Sequence, residues 1–333
     1  MKISVIIPVF NRKNLLIEVL TSLTKQTLEK KFYEVIVIDD ASTEELKTSV
    51  ENICIKSELN FQYFKMERNG GPAKARNFGI AKAKFPIIAL TDSDCKTDPN
   101  WLLKSLHHFE NKKVGAVEGK TVVPDQTAIT PFTHQTQNLT GGRYPTCNFF
   151  FRKGIAIFNE NYTLAFREDS DFAFTILNHK YEIVFDPELI VYHPCLKASL
   201  LTPFKLVKRY EYDGLLKKRF PNYYAYCLDR VKIGPLTIAH LRKKIYLICV
   251  FFTLFSIIGI SISFSNLPLL LPLFAMGFSL NILMNLKAIS FNLKKIFYLP
   301  AIFVLSLIIP FLYLYYYIKG LVRFRKVTQF EVI

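Results

Sequence analysis

The sequence predicts an α/β fold built on a parallel, doubly wound sheet, followed by a membrane-associated C-terminal third. Three observations predict it. Short runs of β-branched residues alternate with helical periodicity over the first 125 residues. Polar and acidic residues stand just after the strands. Two long charge-free runs, residues 245–286 and 296–318, lie near the C-terminus.

The elements follow in order. Ser4–Val9 is a short strand, and Lys13–Lys25 is a helix with Leu15, Leu16, Val19, Leu20 and Leu23 on one side. Glu34–Ile38 is a second strand, and Ser42-Thr43-Glu44-Glu45 carries a capping signal for the next helix. Phe61–Lys65 is a strand, Pro72–Lys82 a helix with proline in its first turn, Ile87–Thr91 a strand and Asn100–Phe109 a helix. Residues 112–195 are mixed. Val114–Val123 is a strand, Gly141 through Lys153 is an irregular loop entering another strand, and a helix begins after Arg167 with acids in its first turn.

Ligands bind at the carboxyl ends of strands in such sheets, and these ends are acidic here. They read Asp39-Asp40-Ala41-Ser42 and Thr91-Asp92-Ser93-Asp94, next to Pro8-Val9-Phe10-Asn11-Arg12. Four carboxylates on one edge repel one another unless a cation sits among them. Mg²⁺ or Mn²⁺, held by one or two carboxylates and substrate phosphates, answers this. A polar turn closing a strand is the plain alternative. The acids of Arg167-Glu168-Asp169-Ser170-Asp171 complement a helix dipole in the plain reading; in the other, one is a general base toward a hydroxyl.

The net charge of +16 suggests nucleic acid until it is located. Residues 1–195 hold 24 Lys/Arg against 23 Asp/Glu, whereas residues 196–245 hold 12 against 3 and the remainder 7 against 1. The basic excess flanks the apolar runs, as expected for contact with anionic lipid headgroups rather than nucleic acid. Residues 196–244 mix basic and aromatic residues, as in amphipathic helices lying at a membrane interface. Spans are expected at about 245–264, 267–286 and 296–318, the last with open topology because Pro300 and Pro310 interrupt it and Lys319, Arg323, Arg325 and Lys326 follow. Six scattered cysteines show no metal spacing, and the Lys2–Pro8 run is too short for a signal peptide. A cytosolic catalytic domain at residues 1–195, on a multi-pass protein of the plasma (inner) membrane, is the expectation.

Seven motifs in order resemble the family 2 glycosyltransferases, over roughly residues 3–221. They run through Ser4–Arg12, Val35–Thr43, Asn69–Asn77, Thr91–Cys95 with Pro99–Leu102, Cys147–Phe149 before Arg152, Arg167–Asp171 and Phe185–Glu188. The resemblance implies a GT-A fold, a Rossmann-like mixed sheet, and inverting transfer from a nucleotide-diphosphate-sugar. It implies that Pro8, Asn11, Asp39 and Asp40 hold the nucleotide, with Asp40 on the base, and that Arg76 and Asn77 line the donor pocket. Asp92 and Asp94 become a D-x-D motif whose second acid binds the metal. Asp169 becomes the catalytic base with Glu168 beside it, and Asn148 shapes the sugar and acceptor side. His193 either completes the metal shell, as a late histidine does in some relatives, or is structural.

Two departures matter. Ile155–Glu160 replaces the family's usual Gly-Gly-Phe-Asp-Glu stretch, and a Q-x-x-R-W motif is excluded because the only tryptophan is Trp101. Addition of one or few sugars to a lipid-linked or surface-polysaccharide acceptor is therefore expected. A catalytically inactive sugar-nucleotide-binding scaffold is the alternative, against which Asp94 and Asp169 stand. A nucleotidyltransferase would need glycines after the first strand, where Val9-Phe10-Asn11-Arg12 has none. A transporter would need more spans and intramembrane charge.

Overall fold

The computed structural model describes residues 1–233, 235–262 and 297–330, with 271–272, 275–276, 278–279 and 281–283 between them. They fall into two units, one of Met1–Pro124, Gln135–Pro194 and Phe330, the other of Asp125–His134 and the described residues from Cys195 to Gln329.

The first unit opens with β1 Ile3–Val9, α1 Lys13–Thr24, β2 Tyr33–Asp39, α2 Lys47–Lys56, β3 Phe61–Lys65, α3 Pro72–Lys82 and β4 Ile87–Leu90. These four strands are parallel. β1 and β2 are buried almost throughout, as continuous Val/Ile runs must be when both faces are covered. Alternate residues serve opposite cores: Val5 and Ile7 join Val35, Val37 and Trp101, while Ile6 joins Ile36, Ile38 and Phe172. On the second face α3 lies tight against the sheet, since a Cβ on Gly79 would stand 2.6 Å from Ile6 Cγ2. Glycine is needed there for close approach.

The sheet is mixed, which departs from the parallel sheet that the alternation predicts. β5 Lys96–Thr97, α4 Trp101–Ser105, β6 Val114–Val122, β7 Phe149–Arg152, α5 Glu168–Asn178 and β8 Glu182–Tyr192 complete it in the order β3-β2-β1-β4-β7-β6-β8-β5. β7 runs antiparallel to both β4 and β6, and β5 antiparallel to β8. Two local expectations also shift. The helix expected at Ser42 starts at Lys47, because the Ser42 hydroxyl accepts the Asn11 N–H instead of capping. The helix expected over 100–109 stops at Ser105 and continues as a 3-10 turn, Leu106–Glu110.

The second unit holds α6 Thr202–Val207, α7 Glu211–Arg219, α8 Pro221–Cys227, the hairpin β9 Arg230–Ile233 with β10 Leu236–Ala239, α9 Leu241–Ile262 and α10 Leu299–Arg323. The hairpin stands where helices alone were expected. Phe132, Val207, Tyr246, Ile302, Leu305, Ile309 and Tyr313 form its core. Glu211 binds Lys319 at 2.8 Å and Arg323 at 2.6 Å, tying α7 to α10. The helices touch through Gly214 and Gly320, where any Cβ would strike the opposite backbone. Among the described residues, α10 alone is long and apolar enough to cross a membrane. The run expected to span at 245–264 lies mostly in α9, and the one at 267–286 falls largely outside the described residues. Of the three expected spans, the described residues contain one candidate, α10.

Candidate active site

The carboxyl ends of β1, β2 and β4 meet the first turn of α5 at one edge of the first unit. Pro8 is partly exposed near the end of β1, opposite Ile38. Asn11 and Arg12 follow with left-handed φ of 59° and 65°. Asn11 Oδ1 accepts from Thr43 N at 3.0 Å and Glu44 N at 3.3 Å, which fastens the turn after β1 to the turn after β2. Asp39 is fully buried and takes the N–H of Ser42 at 2.7 Å and the hydroxyl of Tyr63.

Asp40 is occupied otherwise than the resemblance implies. Its two oxygens accept from Gly70 N at 2.7 Å and Gly71 N at 2.9 Å. It therefore organises the Asn69–Gly71 turn. Gly71 has φ 82°, and a Cβ there would stand 2.7 Å from Thr163 O, so the turn packs directly on the segment leading to α5.

Asp94, two residues beyond Asp92, is buried and sits between two cationic or potentially cationic groups. Arg12 Nη1 donates to its Oδ2 at 2.6 Å, and His193 Nε2 lies 3.8 Å from its Oδ1. Burial and the Asp92 charge raise the Asp94 pKa, while His193 and Arg12 pull it down. The residues fit a divalent cation. His193 Nδ1 meets the carbonyl of Pro194 at 2.9 Å, and a carbonyl only accepts. Nδ1 thus carries the hydrogen, and in the neutral ring the Nε2 lone pair faces the carboxylate, as second-shell fixing of a ligand requires. Cys95 completes a group whose ligand atoms all lie within 4.8 Å, but burial holds its thiol well above the ordinary range.

Arg76, on α3, joins the two acidic segments. Its Nη2 donates to Asp92 Oδ1 at 2.9 Å and its Nη1 to Glu168 Oε1 at 3.2 Å, while its guanidinium lies 5.5 Å from the centroid of the Phe158 ring. Arg76 Nε and Glu168 Oε2 are buried without a hydrogen-bond partner among the described residues. Two orphaned polar atoms beside an acidic edge mark a place where a polar ligand would be satisfied. Burial, then the neighbouring Asp169 carboxylate, push Glu168 up to about 7 against the pull of Arg76. Asp169 is half-buried and also raised, chiefly by burial. One of its oxygens accepts from Ser170 N at 2.7 Å, while the other has no hydrogen bond among the described residues. Both acids sit in the first turn of α5, where the helix dipole favours negative charge.

The Glycosyl transferase family 2 pattern matches residues 4–171, a span that contains this edge except for His193. The chain belongs to that family. Over 93 residues this chain is 47% identical to a Rickettsia bellii protein named "Uncharacterized glycosyltransferase", covering 28% of this chain and 13% of that one. Over 95 residues it is 39% identical to the poly(ribitol-phosphate) beta-N-acetylglucosaminyltransferase TarS of Staphylococcus aureus, covering 28% and 16%. The chain thus matches a small part of either relative's length. The mannosyltransferase PcManGT of Pyrobaculum calidifontis, solved with GDP-Man and Mn²⁺, shares the fold with a TM-score of 0.56 at 18% identity, covering 97% of this chain and 86% of that one.

Of the residues expected at the site, the structure brings Asp92, Asp94, His193, Arg76 and Glu168 together, with Asp169 adjoining Glu168. It places two elsewhere. Asn77 spends its amide on the backbone of Phe158, at 2.9 and 2.8 Å, and on Glu160 at 3.0 Å, so it braces a loop instead of lining a pocket. Asn148 is fully buried, accepting from Trp101 Nε1 at 2.8 Å and donating to Leu189 O at 2.8 Å and Lys120 O at 3.1 Å. With every polar atom satisfied in the core, it cannot touch an acceptor sugar. Arg12 was missed as a site residue, although the basic pair Arg12-Lys13 just after β1, among acidic strand ends, was a usable signal.

Proposed function

We propose that this glycosyltransferase moves a sugar from a nucleotide-diphosphate-sugar to an acceptor hydroxyl with inversion at the anomeric carbon. The observation that carries the reading is the Arg76 bridge, which holds the strand-end acids and the α5 acids at one edge. Asp169 is the general base. It is the most accessible of the three carboxylates of α5 and has an oxygen free to take the acceptor proton. Glu168 fixes the direction of Arg76, and through it Asp92. Asp94 and His193, with Asp92 beside them, would hold Mg²⁺ or Mn²⁺. Such an ion supplies Lewis-acid stabilisation to the departing diphosphate. Pro8, Asn11 and Asp39 border the nucleotide, Asp40 sets the glycine turn against it, and Arg12 adds positive charge where the diphosphate lies.

The acceptor is proposed to be a lipid-linked glycan or a surface polysaccharide. Exposed apolar residues on α9 (Phe251, Leu254, Ile258) and α10 (Phe303, Ile308, Phe311) support membrane association, with anionic lipids against the basic segment and the catalytic unit on the cytoplasmic side of the plasma membrane. Nucleic acid is not among the proposed partners.

The test is a panel of nucleotide-sugars presented with Mn²⁺ to the purified protein, reading nucleotide release. Release from one donor, enhanced by acceptor, is the expected result. A folded protein that binds a donor yet releases no nucleotide from any would favour the inactive-scaffold reading.

A further inference from the structure

His107, His108 and Asp186 each offer a ligand atom, and these atoms all lie within 4.8 Å of one another. They stand apart from the donor edge. Asp186 is opposite Gly119 in the β6–β8 ladder, whereas His193 lies beyond the end of β8 with its N–H on Val122, roughly 10 Å further along. The two histidines occupy the 3-10 turn after α4, and Asp186 sits where the register of β8 slips against β6.

His107 and Asp186 are each oriented by something outside the cluster. His107 Nδ1 meets Lys104 O at 2.7 Å. A carbonyl only accepts, so Nδ1 carries the hydrogen and the neutral ring has its lone pair on Nε2. Metal-bound histidines are held in this way, by a hydrogen bond from the other ring nitrogen. Asp186 Oδ1 accepts from Glu188 N at 2.8 Å, which turns Oδ2 toward His108 Nε2, 2.7 Å away. The two imidazole rings lie with centroids 3.8 Å apart. Lys104 and Glu188, paired at 2.8 Å, already register the same two segments.

The geometry points to a second metal site, in which His107, His108 and Asp186 hold a divalent ion of the zinc class. Two imidazoles and one carboxylate are the ligands such borderline ions take, and they differ from the oxygen-rich sets that hold Mg²⁺. Ligand atoms around a tetrahedral ion with bonds of about 2.1 Å stand about 3.4 Å apart, so the cluster needs shifts of an ångström or so. His108 binds through Nε2 as the Nδ1–H tautomer; its proton moves between ring nitrogens, and a neutral imidazole loses none. Water completes the shell on the exposed side of His107. The ion clasps the turn after α4 to the irregular part of β8 and has a structural role.

The test uses the full-length protein, stripped by chelator and titrated with Co²⁺ and separately with Zn²⁺. The wild type is expected to bind Co²⁺ with the visible absorption of a four-coordinate site, and Zn²⁺ to raise its Tm. Both effects survive Asp94→Asn, which disables only the donor-edge ligands. In His107→Ala the affinity falls at least tenfold while the metal-free Tm is unchanged, since His107 is exposed. His108→Gln loses the same absorption. The proposal is overturned if the wild type shows neither effect, if His107→Ala binds as the wild type does, or if Asp94→Asn abolishes the signal.

Discussion

Arg12 Nη1 donates to Asp94 Oδ2 at 2.6 Å across 82 residues of chain. The guanidinium is half-exposed and the carboxylate buried, so one oxygen of Asp94 is neutralised from the solvent side while the other faces His193. On the proposed reading, Arg12 shares Asp94 with the bound ion.

Removing that charge should tighten metal binding. A unit charge about 5 Å from a divalent ion costs about 1.5 kcal/mol in a water-like dielectric, or about tenfold in affinity. Arg12→Ala should therefore bind Mn²⁺ about tenfold more tightly by calorimetry at about pH 8, where carboxylates are ionised. Equal or weaker binding would show that Arg12 and the ion do not share the carboxylate.

Asp169→Asn keeps the shape of the proposed base and removes its basicity. Donor affinity should persist while the transfer rate falls by about 10²–10⁴-fold. Glu168→Gln should cost less, because it loosens Arg76 without removing the base. Rates and donor affinities measured side by side decide the matter. A wild-type rate in Asp169→Asn with a crippled Glu168→Gln would exchange the two roles.

The pKa of Glu168 rises from 4.5 to about 7, which has a definite sign for stability. Between these values the folded protein retains a proton that the unfolded chain has released. The resulting stabilisation is complete below the unfolded value and disappears as pH climbs through the folded one. The difference in Tm between wild type and Glu168→Gln should thus change between about pH 4.5 and 7, the wild type losing ground as pH rises. Parallel Tm curves across that window would contradict the shift.

Asn148→Ala removes three buried hydrogen bonds and orphans the Trp101 indole N–H. The expected cost is about 3 kcal/mol in urea unfolding, with donor affinity of the folded fraction unchanged. A stable variant with impaired acceptor binding would return Asn148 to the site.

Full-length protein should float with vesicles containing anionic lipid and stay bound at salt concentrations that remove purely electrostatic ligands. Protein left in the supernatant after high-speed centrifugation without detergent would exclude the membrane reading.

Much of the fold was legible because its signals are local. Pro72 at the start of α3 and the Val/Ile runs of β1 and β2 declare themselves within a few residues, since period and end chemistry depend on neighbours in the chain. Asp92, Asp94, Glu168 and Asp169 stood out as acids at strand ends and a helix start for the same reason. Ser42–Glu45 misled because a tertiary partner, Asn11, outcompeted a local cap.

The sequence by itself determined most strands and helices of the first 125 residues, that acids follow β2 and β4 and begin α5, and that charge and apolarity concentrate toward the C-terminus. Only the tertiary structure decided who faces whom. Inserting β7 antiparallel between β4 and β6 brings α5 to the edge where Arg76 meets Glu168 across 92 residues and buries Asn148 under Trp101, while the parallel β2–β3 pair sets Asp40 against Gly70 and Gly71. The physical reason is that side-chain period is set one residue at a time, whereas a pairing between distant side chains depends on strand order and register, which only the packed sheet supplies.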